Sequence, residues 1–254
     1  MELQENFESL RADGINPYAI SYDSVETLSD FVTNHGITYP LLSDGNSDVM
    51  KAFGIFNDAV PEDHNWYGIP YPGTYMVDEN GIVFERSFYA DHIARDSISR
   101  MAQDVFHVKS SDHGTVHQVE SAAYTANVHL SSDTIRRGQV HALTVDLDIN
   151  DGYHVQAAPL PDGYIPLTIT LDEIEGVTVD PIVFPEPKPY RIPGLDDHLH
   201  LYEDHVTLKA PILFNVREDI TVTVRLQAQA CTDQDCLPPE SHTFELPLTW
   251  LSSP

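Results

Sequence analysis

Eight of the chain's 18 prolines fall between Pro159 and Pro193, and no other feature restricts the fold as strongly. Proline lacks a backbone donor and clashes with the preceding helical turn, so this stretch excludes long helices and favours extended loops and sheet edges. Around it the chain alternates apolar and polar residues, with turn residues between the runs: "AYTANVHLSS", "HALTVDLDIN", "PLTITLDEI", "HVTLKAPILFN", "DITVTVRLQAQA" and "HTFELPLTWL". A period of two sends successive side chains to opposite faces of a strand. Several such runs with turn signals between them predict an antiparallel β-sandwich over residues 122–254.

Residues 1–106 carry a different pattern. Leu3, Phe7 and Leu10 recur at helical spacing before Gly14, and "INPYAIS" is extended. Ser24 caps a second helix, "VETLSDFVTNHG", that ends at Gly36. "ITYPLLSD" is extended, "NSDVMKAFGI" is helical, and "GTYMVDENGIVFERSF" forms two strands joined at Asn80-Gly81. A last helix is expected over 91–106. This is an α/β layout, and residues 107–121, polar and without period, form the linker to the sandwich. A chain of 254 residues accommodates two such cores.

Thirteen Lys and Arg stand against 40 Asp and Glu, a formal charge of −27, which repels phosphate backbones and anionic lipid surfaces. Nucleic acid is thereby excluded as a partner class. No window approaches the roughly 20 apolar residues of a membrane-spanning helix, and "MELQENFESLRADG" lacks the basic start and apolar run of a secretory signal. Asp172-Glu173 and the scattered histidines give no Ser-His-Asp order, and neither a G-x-S-x-G elbow nor a phosphate-binding glycine loop occurs. Asp78 to Gly81 is hairpin chemistry rather than a calcium loop. No metal, nucleotide or other cofactor is assigned.

The two cysteines, Cys231 and Cys236, sit in "QAQACTDQDCLPPES" at the end of an alternating strand, and three readings are open for them. A structural disulfide would close a six-residue loop and contribute only about 2 kcal/mol on the loop-entropy account. A metal site would need two further ligands, for which His198, His200 and His205 are candidates, but they lie far outside the tight spacing of such sites. A redox pair would cycle between dithiol and disulfide by exchange with a partner.

"INDGYHVQAAPL", "VDPIVFPEPKPY", "LYEDHVTLKAPILFN" and "QAQACTDQDCLPPES" together resemble the N-terminal periplasmic domain of the thiol:disulfide interchange protein DsbD, from about residue 122 to 248. The resemblance implies an immunoglobulin-like sandwich that takes electrons from a membrane-embedded donor and passes them to extracytoplasmic thioredoxin-fold proteins. It implies that Cys236 forms the mixed disulfide with partners and that Cys231 resolves it. His154 and Gln156 stand where some members carry tyrosines near the thiols, and Leu195, in "YRIPGLDDHL", is the candidate shield over the disulfide. The alternative function is a binding module with a structural disulfide and a degenerate redoxin domain.

"AISYDSVETLSDFVTNHGITYPLLSD", "VMKAFGI" and "YPGTYMVDENGIV" resemble the AhpC/TSA peroxiredoxin branch of the thioredoxin-like fold. That resemblance makes Pro72 a candidate cis-proline. The family's leading strands and reactive cysteine have no counterpart here, so the domain is expected to be incomplete and the chain truncated at its start. With no cysteine before Cys231, no peroxidase activity by thiolate attack is expected. An oxidising, extracytoplasmic compartment is expected from the cysteine chemistry.

Overall fold

A computed structural model describes residues 2–89, 93–108, 113–161, 163–191 and 198–252. The chain divides into two compact units, residues 1–111 and 112–252.

In the first unit α1 (Glu2–Ala12) buries Phe7 and Leu10, three residues apart and therefore on one helix face. The short strands β1 (Ala19–Ser21) and β2 (Leu41–Ser43) pair in parallel, and α2 (Val25–His35) connects them. The Ser24 side chain accepts the Thr27 N–H, and Gly36 takes the left-handed conformation, φ 62°, that ends α2. Asp44 caps α3 (Asp48–Ala52) from four residues upstream, accepting the N–H groups of Val49 and Met50 at 3.2 and 2.9 Å.

Strands β3 (Gly73–Val77) and β4 (Val83–Phe88) form an antiparallel hairpin. Its turn is built by Asp78, whose Oδ1 accepts the N–H groups of Asn80 and Ile82. The two-residue β5 (Arg95–Asp96) precedes α4 (Ile98–Asp104). The helix expected over 91–106 therefore begins later. Ser97, with extended backbone angles, accepts the Arg100 N–H and sets the start.

The second unit is all β. Its larger sheet runs in the order β12 (Val177–Val179), β15 (His205–Phe214), β9 (Gln139–Ile149), β7 (Tyr124–Leu130), β6 (His117–Glu120), antiparallel throughout. The facing sheet runs β11 (Thr168–Leu171), β16 (Ile220–Ala228), β18 (Glu240–Trp250), with β8 (Thr134–Ile135) joined in parallel to β18. Alternate residues of both sheets, among them Val145, Leu147, Ile212, Phe214, Val222, Val224, Leu226, Phe244 and Leu246, are buried in one apolar cluster. Here period-two patterning becomes packing: each strand gives one face to the core. Residues 117–120, expected in the linker, form the edge strand β6. Its single apolar residue, Val119, leaves no readable period.

A third, smaller sheet carries β13 (Lys188–Arg191), β14 (His198–Tyr202), β10 (His154–Gln156) and β17 (Ala230–Cys231), in that order. Val155, Leu201 and Ala230 are buried on it, and Val155 and Ala230 belong to the sandwich core.

Candidate redox-active site

Strand β17 continues the line of β16 after Gln229 and pairs with β10, so that His154 opposes Cys231 and Val155 opposes Ala230. The chain then turns through Thr232 to Asp235. The Thr232 N–H donates to Asp235 O at 2.8 Å, and Thr232 Oγ1 accepts the N–H groups of Gln234 and Asp235. A threonine hydroxyl closing on its following backbone is a standard local turn device. Beyond it, Leu237 N–H donates to Ala230 O at 2.8 Å, and the Gln229 side chain donates to Leu237 O at 3.0 Å.

These bonds place Cys231 and Cys236 opposite one another, with Cα atoms 3.9 Å apart, and the two sulfurs are joined in a disulfide. The two residues differ in exposure. Cys231 is 2% exposed, whereas Cys236 is exposed. Thiol exchange needs one sulfur that an incoming nucleophile can reach and a second that can leave, and the site supplies one of each.

The surroundings of Cys231 are polar but dry. Gln156, 1% exposed, donates from Nε2 to Cys231 Sγ at 3.2 Å, and its Oε1 is buried with no hydrogen-bond partner. His154, 6% exposed, is held below the usual histidine range by burial, against the opposing pull of Asp233 and Glu203. Its ring lies 5.6 Å from that of Tyr190. The Tyr190 hydroxyl donates to Asp233 Oδ1 at 3.1 Å, and desolvation with that bond pushes the phenol upward. Lys188 donates to Glu203 and Asp204, both at 3.0 Å.

The structure thus gathers Cys231, Cys236, His154 and Gln156 on one small sheet. Leu195, the expected shield, lies outside the described residues. Pro72 is in the first unit, and the expectation of a cis bond there is corrected. Among the described residues the cis peptide is Ala158–Pro159, not Tyr71–Pro72. Tyr71 N–H is tied to Ile55 O at 2.6 Å, and the chain passes Pro72 without a turn into β3, so nothing there imposes the tight geometry that retains a cis bond. Tyr190 opens the stretch expected to cover the disulfide but was given no role of its own, and Asp233 was not expected at the site. The contact of Tyr190 with His154 depends on the pairing of β13 with β14, which the letters of a proline-rich run do not mark.

The metal reading of the cysteines has no geometric counterpart among the described residues, where no three His, Cys, Asp or Glu side chains gather around a common point. His205, one of the ligands considered, is instead bonded to Asp148 at 2.7 Å. No helix among the described residues is long and apolar enough to cross a membrane.

Comparison with known proteins follows the same division. Residues 1–86 match the family model for the AhpC/TSA family, and residues 123–248 match that for thiol:disulfide interchange protein DsbD, N-terminal. Alkyl hydroperoxide reductase C of Staphylococcus aureus is 26% identical over 102 residues, 38% of this chain and 49% of that protein. The chain spans about half the length of the curated relatives it matches. The reduced DsbD N-terminal domain of Neisseria meningitidis aligns with a TM-score of 0.35 and 16% identity, over 50% of this chain and 86% of that one. The same domain in complex with the PilB N-terminal domain aligns with a TM-score of 0.32 and 16% identity, over 41% and 73%. A redoxin segment and a DsbD-type domain carrying a cysteine pair fit a thiol-disulfide role. The chain is thus similar to the DsbD N-terminal family over residues 123–248 and to the AhpC/TSA family over residues 1–86.

Proposed function

We propose that this protein shuttles electrons by thiol-disulfide exchange through Cys231 and Cys236, in an extracytoplasmic redox pathway. One observation carries the reading: a local disulfide between one exposed and one buried cysteine, seated where its turn is independently hydrogen-bonded. A loop this short contributes about 2 kcal/mol as a staple, a small gain for a sandwich with its own apolar core. Cys236 is the sulfur that a partner reaches. Cys231 is the sulfur released when the bond opens and the one that later resolves the mixed disulfide.

The partner is a protein with an accessible thiol or disulfide, and thioredoxin-fold proteins are the class proposed, with a membrane-embedded donor upstream. The match to the DsbD N-terminal family model supports a protein partner. An extracytoplasmic location agrees with a formed disulfide, which persists in oxidising compartments. Residues 1–106 contain no cysteine and contribute no thiolate chemistry of their own.

The deciding experiment is the reduction potential of the pair, by alkylation and intact mass across a dithiothreitol series. A value between roughly −180 and −270 mV is expected, the range of exchange catalysts. A value well below about −300 mV would identify a structural staple and overturn the proposal.

A further inference from the structure

The geometry points to Gln156 as the positioning residue that carries the charge of the buried sulfur, a role that rests on the exchange reading above. Gln156 is buried to the level of the apolar core, at 1% exposure. Its Nε2 donates to Cys231 Sγ at 3.2 Å, and its Oε1 has no partner. A disulfide sulfur is a weak acceptor, and a buried carbonyl oxygen without a donor leaves its desolvation cost uncompensated. In this state the amide is poorly rewarded for its desolvation. The arrangement gains when the sulfur becomes a thiolate, because hydrogen bonds to charged acceptors are about twice as strong as neutral ones and strengthen further in a dry site.

The exchange step produces that charge on this atom. An incoming thiolate attacks the exposed Cys236 Sγ and forms a new S–S bond to it. The Cys231–Cys236 bond breaks, and its electron pair goes to Cys231 Sγ, which leaves as a thiolate. In the return step the Cys231 thiolate attacks Cys236 Sγ, reforms the internal disulfide and expels the partner's thiolate. Both directions pass through charge on Cys231 Sγ, which sits beside an amide N–H and has little access to water. His154 is the other titratable side chain facing this position from β10, with Asp233 and Glu203 acting on it from the turn and from the end of β14. Burial holds His154 toward its neutral form, so the amide remains the fixed donor.

The test replaces Gln156 with Leu, of similar size and without a donor. In a Cys236→Ala background the thiolate absorbance of Cys231 is titrated with and without Gln156→Leu, and the midpoint is expected to move to higher pH. In the chain with both cysteines, opening of the disulfide by dithiothreitol at fixed pH is expected to slow by about threefold to tenfold. Near-UV circular dichroism reports whether the variant is folded. If Gln156→Leu does not fold, the unmodified protein decides: the Gln156 side-chain amide protons in the reduced form are expected to shift as Cys231 titrates. An unchanged midpoint in a folded variant, or amide resonances that ignore the Cys231 titration, would overturn the inference while leaving the exchange reading intact. A wild-type disulfide that does not exchange with dithiothreitol in the catalytic range would remove both.

Discussion

His154 and Cys231 are register partners across β10 and β17. Directly opposed residues of neighbouring strands present their side chains to the same face of the sheet, so a buried imidazole and the buried sulfur share one surface. This pairing makes the small sheet sensitive to pH without any further device.

Burial lowers His154 below its ordinary value, while Asp233 and Glu203 pull the other way. In the unfolded chain the histidine titrates near 6.5. Below that pH the unfolded state binds the proton more readily, so stability falls as pH falls from about 7 through the lowered folded value. Urea midpoints at pH 5, 6, 7 and 8 are expected to decline toward acid, and His154→Leu to flatten that decline. Parallel profiles for the two proteins would refute the assignment.

The two sulfurs should be separable by accessibility alone. With Cys231→Ala, the remaining Cys236 thiol is expected to react with iodoacetamide at the rate of an exposed thiol. With Cys236→Ala, Cys231 is expected to react at least about tenfold more slowly, because buried cysteines are inert toward reagents. Equal rates by mass spectrometry would show that the outer position of Cys236 has no chemical consequence.

Phe214 closes β15 and is fully buried in the sandwich core. Phe214→Ala is expected to cost about 3–5 kcal/mol, combining lost transfer energy with a cavity in a packed site. Denaturant unfolding of the full chain should show this loss in the transition of the second unit. A cost below about 1 kcal/mol would mean that the two sheets close up around the missing ring.

In the first unit, Asp44 alone satisfies two N–H groups at the start of α3. Asp44→Ala is expected to cost about 0.5–2 kcal/mol, as for other lost helix caps. Asp44→Asn should recover most of it, since an amide oxygen still accepts. Hydrogen exchange at the Val49 and Met50 amides reads the effect directly, and unaltered protection would show the cap to be dispensable.

The long strands were legible because burial imposed a clear alternation. β15, His205–Phe214, buries Val206, Leu208, Ala210, Ile212 and Phe214 and leaves the residues between them more open, and that pattern can be read from the letters alone. The hairpin at Asn80-Gly81 was legible for a different reason: a short sequence determines its own turn. The small sheet was not legible. β10 has three residues, all buried, so no alternation marks it. β13 carries Pro189, which suggests a loop unless the strand's position at the sheet edge is known. The cysteines could be named from the sequence, whereas Gln156 as a partner of Cys231, 75 residues distant, depends on a pairing that only the fold creates. Likewise, the difference in access between Cys231 and Cys236 follows from which residue continues the strand and which lies past the turn.

The backbone bonds that close the Cys231 turn, from Thr232 to Asp235 and from Leu237 to Ala230, do not pass through sulfur. Cutting the disulfide therefore leaves the turn tied at both levels and the apolar cluster beneath it untouched. On the exchange reading, the domain can hold two oxidation states within a single architecture and present nearly the same surface in both. The bond that changes lies at the margin of the small sheet, and backbone hydrogen bonds hold its turn in place.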